Sequence, residues 1–170
     1  MTSFYDANQQ QLLAWFTQID TDRGGTLSVS ELQRALQLAG LNFSGKFVNS
    51  LVNLVDADCS GKLSPEEFLQ MHGLLRQAHM TFMNADCDRS GVLDLLELAG
   101  AFESLGFTLD KAPTGSFYTY CKSYDFDKSG RFSKEVFIAM YVTLYNAKRV
   151  HARLQSNLSF DVYLWSIAQL

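Results

Sequence analysis

The sequence predicts an all-α fold, an array of helix–loop–helix units joined by short pairing strands at the loops, and three observations carry that prediction. A single pattern is written four times, as DTDRGGTLSVSE from Asp20, DADCSGKLSPEE from Asp56, DCDRSGVLDLLE from Asp86 and DFDKSGRFSKEV from Asp125. Apolar residues recur at helical spacing on both sides of each copy. The eighth position is always aliphatic or aromatic, in turn Leu27, Leu63, Leu93 and Phe132, where a short strand would pair two units.

Each copy has acidic side chains at positions 1 and 3 and a glycine at position 6. A hard cation such as calcium takes roughly six to eight oxygen ligands, and only a tight turn lets one short segment supply them. The expected donors are side chains at positions 1, 3 and 5, the backbone carbonyl at 7, a group or water at 9, and a bidentate glutamate at 12. The third loop is complete with four carboxylates: Asp86, Asp88, Ser90, the Val92 carbonyl, Asp94 and Glu97. It should bind most tightly. The second offers Asp56, Asp58, Ser60, the Lys62 carbonyl, Ser64 and Glu67, one carboxylate fewer. The first has Asp20, Asp22, the Thr26 carbonyl, Ser28 and Glu31, but Gly24 at position 5 supplies no side-chain oxygen.

The fourth loop keeps Asp125, Asp127, Ser129 and the Arg131 carbonyl. Its position 12 is Val136, with Glu135 one residue early. This site is expected to be weak or empty with calcium, with magnesium as the alternative occupant. The expectation is therefore two to three calcium ions per chain.

Taken in order, the first loop is entered by a stripe of Leu12, Leu13, Trp15, Phe16 and Ile19 and left by Leu32, Ala35, Leu36 and Leu38. After the second loop, Ser64, Pro65 and Glu67 read as N-cap, first helical residue and capping-box acid. Loop starts are 36, 30 and 39 residues apart. The middle step leaves no room for two helices and a linker, so Ser64 to Ala85 should be one shared helix, with Gly73 as a candidate close-packing point. A long helix from about Lys134 to Leu154 follows the fourth loop. Beyond it, QSNLSFDVYLWSIAQL aligns Leu158 with position 8 and places Phe160, Tyr163, Leu164 and Ile167 on one apolar face, without a ligand series. We read it as a degenerate fifth unit.

The expected organisation is a single domain over 1–170, with units near 6–40, 46–75, 64–105, 116–147 and 137–170. Units pair through their strands, so a fifth is left over. Its open edge and apolar face predict a homodimer through Leu158, Phe160, Tyr163, Leu164 and Ile167; folding back onto its own core is the alternative.

Charge is segregated. The four loops hold 14 of the 18 acidic and six of the 14 basic residues, a net −8, against +4 elsewhere. Three bound divalent ions would move the formal charge from −4 to +2, changing how the surface meets an acidic partner or a membrane. The opening MTSFYDANQQQ has no basic start or apolar stretch, and no run is long enough to span a bilayer. Cys59 and Cys87 lie within metal loops and Cys121 on the apolar side of a helix, which suggests reduced thiols and a cytoplasmic protein. The cluster Lys148, Arg149, His151 and Arg153 reads as a solvated helix end. His72, His79 and His151 have no zinc-site spacing and no phosphate loop or nucleophile elbow is present, so no enzymatic activity is expected.

These loops, the shared Ser64–Ala85 helix, the LGFTLD segment at Leu105–Asp110 and the tail FDVYLWSIAQL together resemble the penta-EF-hand family, which includes sorcin, grancalcin and the calpain small subunit. DTDRGGTLSVSELQRAL and DCDRSGVLDLLELAGAF are most similar to its apoptosis-linked branch. The resemblance implies a helical dimer formed through fifth EF-hands and calcium-dependent exposure of an apolar surface that recruits partner proteins or, indirectly, membranes. The glycine- and proline-rich extension of the family is not seen here, and the second loop is complete where relatives often have a defective one. Phe43, Phe47, Phe117, Tyr118, Tyr120 and Trp165 are candidates for the partner surface. A calcium sensor and adaptor is the leading reading; a regulatory subunit of a calcium-dependent protease, or a calcium buffer, remain open beside it.

Overall fold

The computed structural model describes residues 4–112, 115–154 and 159–160. Among these, a 3-10 turn at Phe4–Asp6 leads into seven helices: α1 (Gln9–Ile19), α2 (Val29–Leu38), α3 (Gly45–Val55), α4 (Pro65–Ala85), α5 (Leu95–Ser104), α6 (Ser116–Lys122) and α7 (Lys134–Leu154). Two short strands, β1 (Val92–Leu93) and β2 (Phe132–Ser133), complete the array. The fold is all-α, an EF-hand array.

Helix starts follow local chemistry. Asn8, Ser28 and Asp94 cap α1, α2 and α5 in reciprocal capping boxes with Gln11, Glu31 and Glu97. Ser64 and Glu67 do the same for α4, whose first residue is Pro65. Helix ends are equally specified. At α2, Leu41 N–H donates to the Leu36 carbonyl and Gly40 N–H to that of Gln37, with Gly40 at φ +80°. Phe107, Gly106, Phe102 and Glu103 repeat this at α5. Only a residue free to take positive φ closes such an end, which explains both glycines.

The chain divides into two compact units, Met1–Gln77 and Ala78–Leu170, and α4 runs across the boundary. In the first, Leu27 and Leu63 form an antiparallel bridge between loops one and two. Around it Leu32, Leu36, Val48, Leu51, Phe68 and Met71 are fully buried, and Phe16 meets Phe68 edge-on at 5.6 Å. In the second, β1 and β2 pair antiparallel, Val92 with Ser133 and Leu93 with Phe132. Phe102 stacks on Phe137 at 5.4 Å beneath them. The pairings expected of position 8 are all present.

The predicted shared helix and the long helix after the fourth loop both form. Three expectations need correction or restriction. Gly73 is exposed, and a Cβ built there meets nothing within 4 Å, so it is no close-packing point. Phe43, Phe117 and Tyr120 are core residues, with the Tyr120 hydroxyl donating to the Met140 carbonyl at 2.7 Å, and Phe47 and Tyr118 are half-buried. Their apolar area is already used inside each unit. Leu158, Tyr163, Leu164, Trp165 and Ile167 lie outside the described residues; Phe160 is half-buried, its ring 6.2 Å from Phe107 and 5.7 Å from His151 of its own chain.

Candidate metal centres

All four loops adopt one backbone shape. Position 4 is left-handed at Arg23, Cys59, Arg89 and Lys128, with φ between 56° and 58°, and position 6 is a positive-φ glycine at Gly25, Gly61, Gly91 and Gly130. Left-handed backbone is uncommon for residues other than glycine, so four equivalent occurrences mark a conformation imposed by the turn. What holds it is the first acid of each loop. Asp20 accepts from Gly24 and Gly25 N–H at 2.9 and 2.8 Å, Asp56 from Ser60 and Gly61, and Asp86 from Ser90 and Gly91. Asp22, Asp58 and Asp88 each add a bond to the position 5 N–H.

The glutamate at position 12 closes the ring. Glu31 accepts from Thr21 N–H at 3.0 Å through one oxygen and from Ser28 N–H at 2.9 Å through the other. Glu67 does so from Ala57 and Ser64, and Glu97 from Cys87 and Asp94. One side chain therefore caps the outgoing helix and ties it to the start of its own loop. Three carboxylate groups converge in consequence: Asp20, Asp22 and Glu31; Asp56, Asp58 and Glu67; Asp86, Asp88 and Glu97, each with ligand atoms within 4.8 Å of one another.

The remaining predicted donors lie where the pattern puts them. Ser60 Oγ reaches the Lys62 carbonyl at 3.3 Å and Ser90 Oγ the Val92 carbonyl at 2.8 Å, so positions 5 and 7 meet on the same side of the loop. Ser28, Ser64 and Asp94 stand at position 9 as helix caps, and Thr26 is half-buried beside Leu27. Gly24 leaves a gap in the first loop that a larger residue would not simply fill, because its Cβ would stand 2.9 Å from Asp22 Oδ1.

One partner was not legible from ligand counting. The Thr21 hydroxyl donates to Glu31 at 2.8 Å, where the other two loops have Ala57 and Cys87. With the Ser28 backbone and hydroxyl, it holds the Glu31 carboxyl down to about 2. Glu67, nearly buried, is lowered first by the Ser64 N–H, and Asp58 and Asp88 by the hydroxyls of Ser60 and Ser90. The ionised acids of these loops are held mainly by hydrogen-bond donors, with Arg131 adding a smaller charge effect at Asp88.

The fourth loop keeps the turn without the closure. Asp125 accepts from Gly130 and Asp127 from Ser129, and the Arg131 carbonyl receives the Ser129 hydroxyl at 3.4 Å. Val136 carries no oxygen to position 12, and Glu135 instead accepts the hydroxyl of Ser133 at 3.1 Å. Among the described residues it forms no acidic triad.

The comparisons agree with this geometry. Residues 9–72 match the family model of an EF-hand domain pair. Sorcin from Mus musculus is 29% identical over 84% of this chain and 71% of its own, and penta-EF hand domain-containing protein 2 from Dictyostelium discoideum 27% identical over 64% of this chain and 52% of its own. A solved homolog of programmed cell death 6 protein from Leishmania major Friedlin superposes with a TM-score of 0.70, at 25% identity over 99% of this chain and 98% of that one. The chain is thus a calcium-binding EF-hand protein, and its relatives are of the penta-EF-hand kind. It is also 31% identical to the probable calcium-binding protein CML50 of Arabidopsis thaliana, of which it spans only 35%. No helix among its described residues is long and apolar enough to cross a membrane.

Proposed function

We propose that this chain is a cytoplasmic calcium-responsive adaptor. Calcium at the first three loops is held by Asp20, Asp22, the Thr26 carbonyl, Ser28 and Glu31; by Asp56, Asp58, Ser60, the Lys62 carbonyl, Ser64 and Glu67; and by Asp86, Asp88, Ser90, the Val92 carbonyl, Asp94 and Glu97. Two to three ions bind per chain, tightest at the third loop. The fourth, with Asp125, Asp127, Ser129 and the Arg131 carbonyl, stays empty or takes magnesium. The five hands act as one domain, and the fifth, with Phe160 and the apolar residues after it, makes a homodimer.

The observation that carries the adaptor reading is a groove between α1 and α2, the two helices that flank the first loop. A cavity of about 210 Å³ lies there, with Trp15, Ile19, Leu32, Leu36 and Phe68 among its walls and the exposed Leu38 on its rim. It continues past Ala35 to Arg34 and Glu31. A bidentate glutamate bound to calcium fixes the start of α2 relative to the end of α1, and so fixes the spacing of the groove walls. An apolar segment of a partner would dock there.

The test is calcium titration by calorimetry beside binding of an apolar fluorescent dye. The expected result is two to three sites and a calcium-dependent dye signal that Glu31→Gln abolishes. A dye signal indifferent to calcium would support a buffer instead.

A further inference from the structure

Ahead of α1, residues Phe4, Tyr5 and Ala7 are buried, with only the single 3-10 turn of Phe4–Asp6 as local structure. The Phe4 ring stacks on Trp15 at 5.7 Å with an interplanar angle of 11°, and meets His72 edge-on at 4.9 Å. Its carbonyl accepts a hydrogen bond from His72 Nε2 at 2.8 Å, in a buried setting. Phe4 is also one wall of the α1–α2 groove, beside Trp15, Leu36 and Phe68.

This is how a short peptide is received. An aromatic side chain enters an aromatic slot, and a buried ring nitrogen takes the backbone carbonyl of the same residue, which fixes its register. Desolvation disfavours the charged form of His72, and the neutral ring still donates one N–H, so the bond requires no ion. The space left beside Phe4 is open, so an incoming side chain reaches the slot without the unit unfolding. A three-residue 3-10 turn at the edge of the unit opens far more readily than the longer helices beneath it.

We infer that Phe4–Ala7 is a displaceable occupant of one end of this groove, and that the groove's ligand class is a peptide presenting an aromatic residue whose carbonyl His72 receives. The inference rests on the adaptor reading for the site, and adds to it a competitor within the chain. A partner gains the slot only by replacing Phe4, so the segment raises the threshold for recruitment.

The experiment uses the full chain at saturating calcium and a labelled synthetic peptide of residues 2–8, TSFYDAN, followed by fluorescence anisotropy. The Phe4→Ala chain is expected to bind it at least tenfold more tightly than the unaltered chain. The same peptide with alanine for phenylalanine should not bind, and Trp15 emission should shift on binding in a Trp165→Phe background. Circular dichroism checks folding. If Phe4→Ala is unfolded, Tyr5→Ala, which loosens the segment by removing a buried ring packed on Phe4 and leaves Trp15 and His72 in place, carries the same comparison in the same direction. Equal affinity for altered and unaltered chains, or no binding to either, overturns the proposal. Because these readings are taken at fixed calcium, they are independent of a dye signal that fails to respond to calcium, which would overturn the adaptor reading alone.

Discussion

Leu27 and Leu63 exchange both of their backbone hydrogen bonds, each N–H meeting the other's carbonyl at 2.8 Å, while both side chains are completely buried. The bridge joins the eighth positions of two metal loops, so the backbone of one cannot shift without the other. Side chains that only pack and ligands that only bind are thereby adjacent in sequence and coupled in space.

Leu63→Ala should therefore do two things at once. Truncating a fully buried leucine costs about 2–5 kcal/mol, read as a lowered denaturant midpoint. Calorimetry should show weaker calcium binding at the first loop as well as the second, although no ligand has been changed. An effect confined to the second loop would show that the bridge transmits nothing.

Val136→Glu should restore the fourth site. The turn is already formed there, with Lys128 left-handed and Gly130 at positive φ, and the missing element is one carboxylate at the third position of α7. Calorimetry should gain one calcium site per chain relative to the unaltered protein. An unchanged stoichiometry would mean that a carboxylate at position 136 does not decide whether this loop binds calcium.

Gly73→Ala should stabilise the chain. The position lies in the middle of a 21-residue helix, exposed, with no atom near the added methyl. Alanine in place of an interior helical glycine contributes about 1 kcal/mol. The denaturant midpoint should rise with the slope unchanged.

Cys121 sets an alkaline limit. Burial pushes its thiol up from 9.0 to about 12 in the folded chain. The folded state keeps the proton that the unfolded state releases, so this contribution is intact below pH 9 and is lost as pH rises through about 12. Stability should fall by at most about 1.4 kcal/mol per pH unit in that window, and Cys121→Ala should flatten the slope. In the native protein near neutral pH, a thiol reagent should label the exposed Cys59 and Cys87 and spare Cys121.

Much of this was legible because it is local. The four loop turns, the Ser64–Glu67 cap, the shared α4 and the bounds of α7 all follow from spacing along a few turns of chain. What was not legible spans distance. Nothing in the sequence near Phe4 announces His72, 68 residues away, because a single aromatic contact has no period. The aromatic candidates for a partner surface could not be sorted from the core for a related reason. Phe43, Phe117 and Tyr120 have helical spacing whether they face a partner or a core, and only packing tells the two apart. Gly73 misled in the opposite sense, since a helical glycine suggests a close neighbour and here has none. The Thr21 hydroxyl was missed because position 2 is not a ligand position, yet it touches one.

Each glutamate at position 12 grips two loop N–H groups, one at the second residue of its loop and one at the ninth. The rotamer freedom given up there, about 1–2 kcal/mol for a glutamate, therefore fixes the loop and the outgoing helix together. One side chain is the pin of each hinge, and drawing it in Glu31→Gln should quicken amide hydrogen exchange in α2 with little change in helix content.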